Sequence, residues 1–91
     1  AGGVDLILLD LHLGDIDGLD LLGMIRSAGI DTAVIVVSGD SLVESAIGAL
    51  RLGASDYLRK PYEVEVLLHT VRRVLHRRYL ERANREIARQ L

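Results

Sequence analysis

The chain of 91 residues contains no cysteine, no tryptophan and no phenylalanine, and it has one proline and one methionine. Without cysteine there is no disulfide, no thiolate nucleophile and no cysteine-ligated zinc. No run approaches the roughly 18 apolar residues of a membrane span. No basic-then-apolar segment opens the chain. The expectation is a soluble, cytoplasmic protein without a membrane partner. Low-complexity tracts are absent too, and the only aromatic residues are three tyrosines.

What the chain does have is apolar content. Hydrophobic residues make up 49% of it and mean hydropathy is +0.27, enough for one packed domain and not the composition of a disordered segment. The net charge of −2 is unevenly spread. Residues 1–61 hold nine acids and four bases, whereas residues 62–91 hold four acids and seven bases.

The apolar pattern alternates between two kinds of element. Val4 to Asp10 is apolar but for Asp5 and lacks helical period, so it reads as a buried strand. Asp17-Gly18 leads into a helical pattern, Leu19, Leu21, Leu22, Met24 and Ile25, which should stop near Gly29. Ala33 to Ser38 is β-branched and apolar, a second buried strand. After the turn Ser38-Gly39-Asp40-Ser41, with Ser41 as candidate N-cap, Leu42, Val43, Ala46, Ile47, Ala49 and Leu50 recur at helical spacing as far as Gly53. Ala54 to Lys60 is a third strand, ended by Pro61. From Glu63 nothing stops a helix before Leu91. Such β-α-β-α-β-α alternation with short loops implies an α/β fold with a doubly wound parallel sheet. Three strands make a small sheet. Val4–Leu9 is too apolar for a bare edge, so a second chain or an oligomer is expected beside it.

Chemistry-bearing residues stand at all three strand ends: Asp10, Ser38 and Lys60. Taken singly, each has a plain structural explanation, as a cap, a turn former or a solvated lysine. Together at one sheet edge they suit phosphoryl chemistry. A carboxylate is a nucleophile toward phosphorus, an ammonium pairs with phosphoryl oxygens, and a hydroxyl donates to one of them. Such transfer needs positioning and charge neutralisation above all, and a divalent ion normally supplies the rest.

At these residues the chain resembles the receiver domain of two-component response regulators, with the chemotaxis-regulator-like, flavodoxin-like fold. The resemblance rests on Asp-Leu-Ile-Leu-Leu-Asp (5–10), Asp-Gly (17–18), Val-Ile-Val-Val-Ser-Gly (34–39) and Gly-Ala-Ser-Asp-Tyr-Leu-Arg-Lys-Pro (53–61), and it covers residues 4 to about 76. It implies that Asp10 is the phosphoacceptor, Ser38 the switch hydroxyl, Lys60 the phosphoryl counter-ion and Tyr57 the switch aromatic. It implies that side chains at His12 and Asp40 tune phosphate lifetime. It further implies a Mg²⁺ ion held by Asp10 and the backbone carbonyl of His12, and a cis Lys60–Pro61 bond. The partners it implies are a sensor histidine kinase or phosphotransfer protein. The domain would be a signalling element, an enzyme only in its own phosphotransfer and dephosphorylation.

The family pattern also has parts with no counterpart here. Its first strand, the acidic pair that holds the metal, its first helix and its second strand have no match, so only the last three βα units are represented. Asp5 and Asp15 do not stand in for the acidic pair, and Gly14 occupies the place of a usual proline, which loosens that loop.

The last helix outruns the family's. Residues 1–76 read as a partial receiver domain and 77–91 as a helical extension. Val64, Leu67, Leu68, Val71, Val74 and Leu75 form the face expected to pack on the sheet. Leu80, Asn84, Ile87 and Leu91, spaced four, three and four, fit a coiled-coil seam that would join two copies and lead to an output domain beyond Leu91. Arg72, Arg73, Arg77, Arg78, Arg82, Arg85 and Arg89 make the helix basic, but Tyr79 alone interleaves them, so direct nucleic-acid binding is not expected. His69 and His76 lie seven positions apart, roughly 10 Å, too far to share a metal. Two other functions remain in view. One is a phosphorylation-silent dimerisation module. The other is a flavin-binding flavodoxin-like protein, against which the loop after Leu9 lacks the hydroxyl- and glycine-rich run needed.

Overall fold

The computed structural model describes residues 4–39 and 43–91. Asp40, Ser41 and Leu42, and with them the expected N-cap and one of the two lifetime-tuning positions, lie outside the described residues.

Eight elements follow one another: β1 (Leu6–Asp10), β2 (His12–Leu13), β3 (Ile16–Asp17), α1 (Gly18–Ser27), β4 (Ala33–Ser38), α2 (Val43–Arg51), β5 (Asp56–Arg59) and α3 (Val64–Gln90). β1, β4 and β5 form a parallel sheet with β4 in the middle. The register sets Asp10 opposite Val37, and Ser38 opposite Arg59. All three strands therefore end at one edge, as their shared direction requires.

β4 is buried along its whole length, which is why its first five residues are apolar without alternation. The pleat still sorts its side chains between two cores. Val34 and Val36 join Leu9, Leu11, Leu22 and Ala49 beneath α1 and α2, with Leu19 and Tyr57 packed alongside. Ala33, Ile35 and Val37 join Leu58 and Val74 beneath α3, with Leu6, Tyr62, Leu67 and Val71 alongside. Helices thus cover both faces, the α/β arrangement expected. Each fully buried Val or Ile contributes about 1.5–3 kcal/mol of hydrophobic stabilisation.

Asp17 caps α1 by accepting the Leu19 N–H at 2.9 Å. The helix ends just before Gly29, which has a φ of +72°.

Three differences from the sequence reading concern where packing ends. β1 begins at Leu6 instead of Val4, and β5 spans Asp56–Arg59. The loop after Asp10 is a small hairpin in which β2 and β3 pair antiparallel, His12 with Asp17. Gly14 takes φ +69°, the conformation a tight hairpin turn needs at its first central residue. On α3 only Leu67, Val71 and Val74 of the six expected residues face the sheet. Val64 and Leu68 are exposed, and Leu75 sits at 36% exposure. The reason is angular. At about 100° per residue, positions 67, 71 and 74 share one line, and 64, 68 and 75 lie on its flank.

Candidate functional site

The strand ends bring Asp10 and Lys60 into direct contact. Lys60 Nζ donates to Asp10 Oδ2 in an ion pair. The other carboxylate oxygen, Oδ1, accepts the backbone N–H of His12 at 2.9 Å. Asp10 is oriented from both sides. Its side chain is 28% exposed, open enough for a reactant to approach.

Backbone bonds hold this constellation together. Lys60 N–H donates to the carbonyl of Ser38 at 2.7 Å, so the third strand end is fastened to the second. Leu11 N–H donates to Val37 O at 3.1 Å, fastening the first to the second. Gly18 N–H then donates to Leu11 O at 3.1 Å, returning the hairpin to the strand end. The Lys60–Pro61 peptide bond is cis. Ser38 is completely buried at the end of β4. Tyr57 is half-buried against the core beneath α1 and α2. A cleft of about 230 Å³ opens at the residues that follow Asp10, lined by Leu11, His12, Asp17, Leu19 and Ser45.

The electrostatics follow from these contacts. The Lys60 ammonium, and after it the His12 N–H, holds the Asp10 carboxyl below its ordinary value, outweighing the opposite push from partial burial. Asp10 is therefore an ionised carboxylate near neutral pH, oriented by both of its partners.

For a divalent ion the described residues offer little. Asp10 and the carbonyl of His12, the two ligands the resemblance implies, would supply oxygen, whereas hard cations take about six oxygen ligands. Among the described residues no three of His, Cys, Asp and Glu cluster as a metal site would need. Asp5 and Asp15 do not complete one. Asp5 lies at the far end of β1, with Oδ1 3.6 Å from Arg82 NH1, and exposed Asp15 is in the hairpin turn. These residues by themselves do not fit a Mg²⁺ site. His69 and His76 are exposed on α3.

One structural support of the site and one support of the sheet's far end escaped the sequence reading. Gly18 reads there as a helix start, but it also packs against Leu11 and Asp10: a Cβ at position 18 would lie 2.5 Å from Leu11 Cα and 2.9 Å from Asp10 O. Its place in the Asp-Gly pair was the available signal. Arg26 donates to Gly53 O, Ile30 O and Thr32 O, tying α1 to the starts of β4 and β5. A lone arginine in a helix carries no local mark of that role.

Comparison with known proteins agrees with this arrangement. The family model described as response regulator receiver domain matches residues 1–72. The chain belongs to that family. It is 41% identical over 73 residues to a probable transcriptional regulatory protein SilR of Salmonella typhimurium, covering 80% of this chain and 32% of that protein. Among solved structures it resembles the signal receiver domain of a putative Luxo repressor protein from Vibrio parahaemolyticus, with TM-score 0.81 and 37% identity over 87% of this chain and 61% of that one. It also resembles a response regulator protein from Burkholderia pseudomallei described with a phosphorylated aspartic acid, a calcium ion and citrate, with TM-score 0.66 and 31% identity, covering 89% of this chain and 48% of that one. The chain spans about a third of the length of the curated relatives it matches. No helix among the described residues is long and apolar enough to cross a membrane.

Proposed function

We propose that Asp10 is the phosphoacceptor of a two-component response regulator. The observation that carries this reading is the ion pair of Lys60 with Asp10 Oδ2, formed while the His12 N–H holds Oδ1. One carboxylate oxygen attacks the phosphorus of a phosphohistidine on a sensor kinase or phosphotransfer protein. The P–O bond forms as the P–N bond breaks, the electron pair leaves with the imidazole nitrogen, and that nitrogen takes up a proton from water. Lys60 then pairs with the phosphoryl oxygens, and the Ser38 hydroxyl donates to one of them. Tyr57 and the face of α2, β5 and α3 carry the change onward. His12, exposed at the mouth of the site, and Asp40 govern how readily water removes the group.

The extension of α3 leads to an output domain and joins two copies. Leu80 and Ile87 are 46% and 57% exposed, and their spacing with Asn84 and Leu91 supports a seam in which the asparagine sets register. Seven arginines do not make the helix a nucleic-acid reader in this reading, since Arg73, Arg77, Arg78 and Arg82 are engaged by the domain itself.

The test is phosphoryl labelling of the full-length protein from acetyl phosphate with Mg²⁺. Label should appear on Asp10 and vanish in Asp10→Asn. Label persisting in that variant refutes the assignment, and a wild-type protein that takes none is the phosphorylation-silent dimerisation module instead.

A further inference from the structure

Four arginines of α3 reach the opposite end of the sheet from Asp10. Arg73 pairs with Asp56. Arg77 NH2 donates to Ser55 O at 2.8 Å. Arg78 donates to Asp31 twice, to Oδ1 at 3.1 Å and to the backbone carbonyl at 2.6 Å. Arg82 NH1 lies 3.6 Å from Asp5 Oδ1. The acceptors stand in order across the sheet. Ser55 precedes β5 and Asp56 opens it, Asp31 precedes β4, and Asp5 precedes β1. The strands whose far ends deliver Lys60, Ser38 and Asp10 are each fastened at their near ends to one helix.

Apolar packing does not explain why the helix stays there. Val74 is the last buried residue of α3. From 75 to 90 only Arg78 and Ala83 are even half-buried, and Arg78 is the most enclosed of these four arginines, its side chain 12% exposed. The charges around Asp31 reinforce the bond, since Arg82 and Arg85 also favour its ionised form. The ion pairs of Arg78 and Arg82 are with Asp31 and Asp5, while Glu86 engages Arg89 at 3.6 Å and Glu81 borders the same cavities as Arg78.

We propose that residues 77–90 are a strap held to the strand starts by the ion pairs and hydrogen bonds of its arginines, without apolar packing, one that lifts as a unit when the charges are screened or removed while the sheet stays folded. The docked strap has a further consequence. At about 100° per residue, Leu80, Asn84, Ile87 and Leu91 lie on roughly the opposite side of the helix from Arg78 and Arg82. Docking therefore fixes the direction in which the apolar row faces outward. Lifting the strap loosens whatever follows it from the strands that carry the site. The strap does not depend on Asp10 being phosphorylated, so its test stands apart from the labelling experiment.

The test is amide hydrogen exchange on the full-length protein, comparing residues 77–90 with β4 as internal reference. Exposed ion pairs are screened as the Debye length falls from about 10 Å at 0.1 M to about 3 Å at 1 M salt. Protection of 77–90 should fall roughly fivefold or more from low salt to 1 M NaCl with β4 unchanged. Asp31→Asn should lower it already at low salt, and the exchange Asp31→Arg with Arg78→Asp should restore it. Where Asp31→Asn also opens β4, Asp5→Asn, at an exposed site, takes its place and should lower protection of 77–90 with β4 intact. Protection of 77–90 that ignores both salt and these variants, or that is absent at every salt concentration, overturns the proposal.

Discussion

Lys60 and Asp10, 50 positions apart in sequence, form one hydrogen-bonded ion pair at the edge where three parallel strands end. Neither residue is buried, so the pair forms where a phosphoryl group could enter between its partners. The lysine does two things at once. It keeps the carboxylate ionised, and in the proposed transfer it would pair with the phosphoryl oxygens once the carboxylate's own charge is used.

Removing the ammonium should therefore raise the Asp10 pKa. The group is held below its ordinary value first by Lys60 and then by the His12 N–H. In Lys60→Met only the second remains, and burial works against it. A carboxyl lowered in the folded state stabilises the fold above its unfolded value, about 3.9. That contribution fades as pH falls through the folded value. NMR titration of the Asp10 carboxyl carbon should show a higher midpoint in Lys60→Met than in wild type. An unchanged midpoint would mean that the ion pair is not formed in solution.

Two glycines of α1 should respond oppositely to the same change. Gly18→Ala drives a methyl into Leu11 Cα and Asp10 O, both backbone atoms that cannot turn aside. It should cost about 1–3 kcal/mol, as overpacking does, and disturb the loop that orients Asp10. Gly23 has nothing within 4 Å of an added Cβ and sits inside the helix, so Gly23→Ala should stabilise by about 0.5–1 kcal/mol. Urea unfolding of both variants decides the matter, and equal shifts in one direction would refute the contrast.

Arg26 should matter more than its place on a helix suggests. Its guanidinium donates to Gly53 O at 2.7 Å through NH2 and to Thr32 O at 2.8 Å through NH1. Arg26→Ala leaves these carbonyls short of a donor and should cost about 1–3 kcal/mol in thermal or urea unfolding. Arg26→Lys should recover little, because one ammonium cannot span the carbonyls of Gly53, Ile30 and Thr32 as a planar fork does. Full rescue by lysine would show that charge alone is at work.

How much of this was legible beforehand depended on range. Ala33–Ser38 is readable to the residue because five apolar, mostly β-branched residues in a row, closed by Ser38 and Gly39, fit a covered parallel strand. The end of α1 is readable because Gly29 marks it. The hairpin of β2 and β3 was not readable, because two-residue strands leave no periodicity. Half of the expected face of α3 turned out exposed, because a 3–4 spacing names a stripe without saying how wide the opposing surface is.

By itself the sequence determined the order of the three parallel strands and three helices, the alternation that makes them an α/β sheet, and the three residues at or just past the strand ends. Those properties are local, or follow from chain direction once strands are parallel. The tertiary structure alone decided which side chains meet across the fold. Lys60 on Asp10, Arg26 beneath Gly53, and Arg78 and Arg82 on the strand starts each join residues 27 or more positions apart. Such pairs depend on how a helix lies over a sheet, and no spacing within one segment records that angle.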